Sequence, residues 1–269
     1  MPHATRLVLL RHRILSALVL IPLVAGLAYA GGYWWLATIA LVGVLASMEL
    51  FQLLREGGYH PNMWVGVIWN LILISSGFWP QQLPFPIVLQ LGLLLTLALA
   101  LFSDKPHPAT DWAWTVAGAT YLGALLASFV ALRMRPDGLY WIALAVITTW
   151  IADSGAYFVG TSLGRHPLAP RLSPKKTWEG AIGGWIVGAV SGTALGLWLV
   201  RLPLVIAFSL AGVLCALAPL GDLAESMIKR QIGVKDSGRL IPGHGGMLDR
   251  LDSLLFVIPA TYCASLLLG

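Results

Sequence analysis

Apolar residues run along this chain in blocks of about twenty positions, broken by short clusters of glycine, proline and charge. Each block approaches the ~20 residues that a helix needs to cross the hydrocarbon of a bilayer. Blocks and breakers together predict nine helices, near 14–30, 33–54, 62–79, 83–102, 112–132, 139–159, 180–200, 203–225 and 251–268. The breaks fall at Gly31-Gly32, Gly57-Gly58, Pro80, Pro106 with Pro108, Pro136 with Gly138, and Pro203. The pattern predicts an all-α polytopic integral membrane protein of about nine transmembrane helices. A single membrane domain over 1–269 is expected, with helices 1–5 in its N-terminal half. Helices 6–9 form the C-terminal half, which carries the polar loops 160–180 and 222–252.

Composition agrees. The chain is 58% hydrophobic and 11% charged, against ~25% charged residues in soluble domains. The first block ends in Ala28-Tyr29-Ala30, loosely like a signal-peptide cleavage site, but a retained first helix is expected. Cys215 and Cys263 both lie in apolar blocks, which excludes a cysteine-rich metal site and suggests no disulfide framework. With nine spans, Arg133, Arg135 and Arg201 are the only basic residues on one side of the membrane. Every other lysine and arginine falls on the side of the N-terminus, which the positive-inside rule makes cytoplasmic. The net charge of +5 suits an anionic partner. No nucleic-acid partner is expected, and a bacterial-type plasma (inner) membrane is the expected setting.

The densest charge lies in Ser226–Asp252, SMIKRQIGVKDSGRLIPGHGGMLDRLD. On the nine-span topology Asp153, Asp222, Glu225, Asp249 and Asp252 share one membrane depth at the cytoplasmic face. Carboxylates crowded near a bilayer repel unless cations hold them together. Mg²⁺, which commonly takes one or two carboxylates and completes its shell with water or phosphate, suits them. Asp249 and Asp252 could instead serve the start of the ninth helix, whose dipole favours negative charge. Asp222 is expected at the C-terminal end of the eighth helix, where that dipole disfavours an anion, so it needs a metal or a basic partner. Glu49, in the second helix, is expected to make a structural pairing.

Two basic stretches accompany these acids. Ser173-Pro174 reads as an N-cap followed by proline at the first helical position, so Lys175, Lys176 and Thr177 would surround free N–H groups. A solvated, topology-setting loop is the alternative. Lys229, Arg230 and Lys235 offer charge to phosphate oxygens, and Gly243, Gly245 and Gly246 allow close backbone approach. His244 would bind phosphate or hydrogen-bond its own loop. No Walker-type phosphate loop is present. The seventh helix carries glycine at 180, 184, 188, 192 and 196, one stripe for close helix packing within the chain or across a homodimer. Carboxylates for a divalent cation, basic groups for a polyphosphate and a place at the bilayer surface together suit phosphoryl or nucleotidyl transfer onto a lipid.

The segment resembles the signature of the phosphatidate cytidylyltransferases, also called CDP-diacylglycerol synthases. It matches at Ser226, Lys229-Arg230, Lys235-Asp236, Pro242, His244-Gly245-Gly246, Asp249-Arg250 and Asp252, with no departure in spacing. The likeness extends to GDLAES and SPKKTWEG upstream. It implies that CTP and phosphatidic acid form CDP-diacylglycerol and pyrophosphate with Mg²⁺ as cofactor. It further implies a catalytic set of Asp222, Ser226, Lys229, Arg230, Lys235, Asp236 and Asp249, with Asp222 and Asp249 as metal ligands. Asp153, Lys175, Lys176, Thr177, His244, Gly245, Gly246, Arg250 and Asp252 would bind substrate. The rival readings are a CTP-dependent lipid-alcohol kinase, which the full motif match opposes, and a membrane transporter. A transporter would place its charges nearer the midplane, in repeated halves, and no such repeat is visible.

Overall fold

The computed structural model describes residues 18–234, 237–238 and 245–268, so Lys235, Asp236 and His244 lie outside the described residues. Within them the helices are α1 Leu18–Ala30, α2 Gly32–Glu56, α3 Met63–Ser76, α4 Phe85–Leu101, α5 Pro108–Met134, α6 Gly138–Leu163, α7 Trp178–Leu199, α8 Leu204–Ile232 and α9 Leu254–Leu268. Two short strands, β1 Pro167–Ala169 and β2 Ser173–Thr177, and a 3-10 turn at Leu248–Arg250 complete the elements. Each expected helix is present, and the protein is an all-α integral membrane protein apart from one small hairpin. Among the described residues five helices, α2, α5, α6, α7 and α8, are long and apolar enough to cross a membrane. The 14 residues of α3 rise only about 21 Å, short of a ~30 Å hydrocarbon core.

Three local expectations are corrected. First, α8 continues through the charged run to Ile232 rather than stopping near 225. Asp222 is therefore inside the helix, and the argument from an unfavourable C-terminal dipole no longer applies to it. Second, Ser173-Pro174 does not start a helix: Ser173–Thr177 is β2, paired antiparallel with β1. A two-stranded hairpin is all edge, so it tolerates the proline that lacks an N–H. The helix starts at Trp178, and Thr177 is its N-cap, its hydroxyl accepting from the Gly180 amide at 3.2 Å. Third, α9 begins at Leu254, so Asp252 precedes the helix instead of occupying its first turn.

The chain divides into two compact units, Met1–Val130 with Ile232–Arg250, and Ala131–Gln231 with Leu251–Gly269. In the first, α2 packs on α3 and α3 on α4. Trp69, Leu73, Val88 and Ala119 form an apolar cluster, and the Phe51 ring fills the space left by Gly66 and Gly118. Asn70 donates from Nδ2 to the Gly43 carbonyl at 3.0 Å and to the Ser47 hydroxyl, binding α3 to α2 through polar groups that lipid could not satisfy.

In the second unit α6 and α7 make the closest seam, and α9 also packs on α6. Gly180, Gly184, Gly188, Gly192 and Gly196 are all buried. A β-carbon on Gly184 would stand 2.6 Å from the Ala152 carbonyl oxygen, and one on Gly188 2.7 Å from the Ala152 β-carbon. Gly192 lies against Thr148 and Ala211, and Gly196 against Ala207. The stripe is thus filled by α6 and α8 of its own unit, which is the intramolecular reading of the glycine pattern.

Candidate active site

Unit two gathers most of the polar residues singled out in the sequence. Lys176, near the end of β2, places Nζ 2.5 Å from Asp222 Oδ2 on α8. This joins SPKKTWEG to GDLAES, and it supplies the basic partner that Asp222 was expected to need. Asp153 on α6 and Asp252 before α9 both feel this pair, repelled by Asp222 and attracted by Lys176. Burial, then the Asp222 charge, pushes the Asp252 carboxyl up to about 6. The approach of Asp252 to α8 depends on Gly221, whose missing β-carbon would collide with the Asp252 carbonyl.

Below Asp222, Ser226 donates from Oγ to Asp222 Oδ1 at 3.3 Å. Its hydroxyl, expected to reach substrate, bonds the neighbouring carboxylate in this state. Lys229 is 7% exposed and pairs at 2.9 Å with Glu225, one helical turn earlier and fully buried. Arg230 is exposed and donates from Nε to the Leu172 carbonyl at 3.1 Å, tying α8 to the hairpin turn. Lys175 is exposed on β2. The base of the hairpin is held by Glu179, which accepts from the Arg165 and His166 amides at 3.1 and 3.2 Å and meets His166 Nδ1 at 2.5 Å.

Unit one carries the other part of the motif. Asp249 Oδ2 accepts from the Ser237 amide at 3.2 Å, the Ser237 hydroxyl at 3.0 Å and the Gly246 amide at 3.0 Å. Gly245 has φ of 85°, a conformation that favours glycine, and Gly246 is buried against Ser237 and Glu49. These two glycines therefore answer to their own loop before any ligand. Arg250 is exposed. Among the described residues, no three His, Cys, Asp or Glu side chains gather as a ready-made metal cage.

Residues 11–268 match the model of the family described as "Cytidylyltransferase family". The chain belongs to that family. Similar proteins carrying the name phosphatidate cytidylyltransferase include one from Synechocystis sp., 37% identical over 93% of this chain and 94% of its own. Another, from Brucella suis, is 36% identical over 94% and 92%. A third, from Bacillus subtilis, is 35% identical over 82% and 86%. For this cytidylyltransferase-family chain the likeness thus reaches well beyond the motif, into the N-terminal helices.

Of three residues that build the site, Glu179 was not expected, Glu225 was expected only in the carboxylate cluster, and Glu49 makes the structural pairing expected of it. Glu225 falls in GDLAES and Glu179 in SPKKTWEG, so both motif blocks already contained them. The spacing of Glu225 to Lys229 is a helical ion-pair signal that a loop assignment hid. Glu49 had only its charge in an apolar block to mark it.

Proposed function

We propose that this chain transfers the cytidylyl group of CTP to phosphatidate, forming CDP-diacylglycerol and releasing pyrophosphate at a membrane surface. The observation that carries the reading is the Lys176–Asp222 contact, which brings two motif blocks together beside Asp153 and Asp252. A phosphatidate oxygen attacks the α-phosphorus of CTP in line, the bond to the β-phosphate oxygen breaks, and pyrophosphate leaves. Phosphatidate is already ionised near neutral pH, so no strong base is needed. The chain's task is positioning and charge neutralisation. Lys175 and Arg230 are exposed around the hairpin, where phosphate oxygens can reach them. Lys229, held by Glu225, acts from within α8, and its charge reaches Asp252.

The donor chemistry fits Mg²⁺. Asp153, Asp222 and Asp252 are hard oxygen donors, and Asp222 repels each of the other two, which a divalent cation would relieve. Asp222 and Asp249 remain the proposed ligands on the strength of the motif, each argued within its own unit. When bound, the ion would offset charge on the departing pyrophosphate. Lys235, Asp236 and His244 keep their motif roles in this proposal, as do Thr177, Gly245, Gly246 and Arg250. The basic-residue count supports a cytoplasmic N-terminus and site, and the bacterial relatives support a plasma membrane. Any homodimer would use a surface other than the glycine stripe, which its own unit fills.

The test is turnover of purified protein in mixed micelles with phosphatidic acid, Mg²⁺ and CTP labelled at either the α- or the γ-phosphorus. Label from the α-position should enter the lipid phase, and γ-label should leave as pyrophosphate. γ-Label in lipid, or no turnover with either, would overturn the proposal.

A further inference from the structure

Glu49 is a buried carboxylate that the chemistry above does not use. It sits on α2 and is 7% exposed. Its Oε2 accepts from the Leu248 amide at 2.9 Å, across 199 residues of sequence. Leu248 is fully buried and opens the 3-10 turn whose next residue is Asp249. The loop closes on this carboxylate through glycine on both sides. A β-carbon at Gly246 would stand 2.6 Å from Glu49 Oε2, and one at Gly238 2.7 Å from Oε1. Oε1 itself accepts no hydrogen bond from a described residue. Asp249 meanwhile takes its own bonds from Ser237 and Gly246, and Gly246 also lies against Glu49. Two carboxylates thus take the Ser237, Gly246 and Leu248 amides between them.

We infer that Glu49 is a positioning residue for the Asp249-bearing turn, a role that no motif block assigns to the N-terminal helices. Reach is the physical requirement. An acceptor on a three-carbon arm from α2 pins the Leu248 amide, and that pin sets the direction in which Asp249 leaves the loop. Charge is secondary, because the partner is a neutral amide. The inference rests on the proposed function only for its effect on turnover.

The test compares Glu49→Gln with Glu49→Asp in the full-length protein, by hydrogen exchange of the 245–250 segment and by CTP kinetics. Gln keeps the reach and a carbonyl acceptor, whereas Asp keeps the charge and loses a methylene. In Glu49→Asp, exchange in 245–250 should speed up about fivefold, as for one lost hydrogen bond to a backbone amide. Its kcat should fall by a similar factor, with KM for CTP changed less than threefold. Glu49→Gln should keep wild-type protection and most of kcat. The reverse order, Asp tolerated and Gln inactive, would overturn the inference, as would unaltered exchange in both variants. Inactive wild-type protein would overturn the functional proposal alone, since the exchange comparison needs no turnover.

Discussion

Gly184→Ala tests whether the α6–α7 seam is as tight as its geometry says. On an isolated helix the change is favourable by about 1 kcal/mol, because alanine gives up less backbone freedom than glycine. The seam opposes it. The added β-carbon would stand 2.6 Å from the Ala152 carbonyl oxygen, 2.7 Å from the Ala156 β-carbon and 3.0 Å from the Ala156 amide nitrogen. These are backbone atoms and a methyl fixed to it, so no side chain can swing aside. Against a ~3.5 Å optimum the helices must part by close to 1 Å, which forfeits a quarter to a half of each nearby dispersion contact. Overpacking of this kind costs about 1–3 kcal/mol. The midpoint of that cost less the gain in propensity leaves a net loss of about 1 kcal/mol, read as a fall of roughly 2–4 °C in Tm in detergent. Gly26→Ala is the control, since nothing lies within 4 Å of that position, and its Tm should hold or rise. Turnover should fall in Gly184→Ala as well, because α6 carries Asp153 one turn before Ala156 and α7 begins two residues beyond Lys176. A Gly184→Ala protein as stable as wild type, or more so, would refute the reasoning.

Other outcomes follow from the same unit. Lys176→Met removes the cation shared by Asp153, Asp222 and Asp252, and turnover of labelled CTP should drop at least tenfold in protein that still elutes as folded; wild-type rates would break the assignment. Gly221→Ala would drive a methyl into the Asp252 carbonyl, so it should lower turnover more than it lowers Tm; unchanged kinetics would mean the turn moves freely. The pH dependence has a definite sign. The Asp252 carboxyl sits at about 6 rather than 3.8, so the folded state holds this proton more tightly than the unfolded chain. Through this group stability is greatest below about 3.8 and is lost as pH rises to about 6. Thermal unfolding of wild type and Asp252→Asn between these limits should show the steeper fall with pH in wild type, and parallel curves would contradict it.

The helices were legible because apolar blocks and Gly-Pro breakers are local signals, whereas the errors came where charge was taken to mean loop. The run from Glu225 to Gln231 is polar, yet Glu, Met, Lys, Arg and Gln are good helix formers, and Glu225 and Lys229 stand one turn apart. Its continuation into α8 was therefore written locally and outvoted by hydropathy. The hairpin had no such sign: Ser173–Thr177 lacks an alternating apolar face, and its pairing depends on β1. Glu49 was visible only as a charge in an apolar helix, because its partner is 199 residues away. The motif residues themselves were legible by spacing, but their first contacts are largely with one another. Ser226 bonds Asp222, Lys176 pairs with Asp222, Lys229 pairs with Glu225, Thr177 caps α7, and Asp249 holds Ser237 and Gly246. A fixed spacing therefore encodes a self-supporting polar scaffold as well as a surface for substrate. Loss of activity at a motif position cannot by itself assign chemistry to that residue. The separating observation is a fall in kcat without a matching change in loop protection, which Asp222 and Lys176 should give and Glu49 should not.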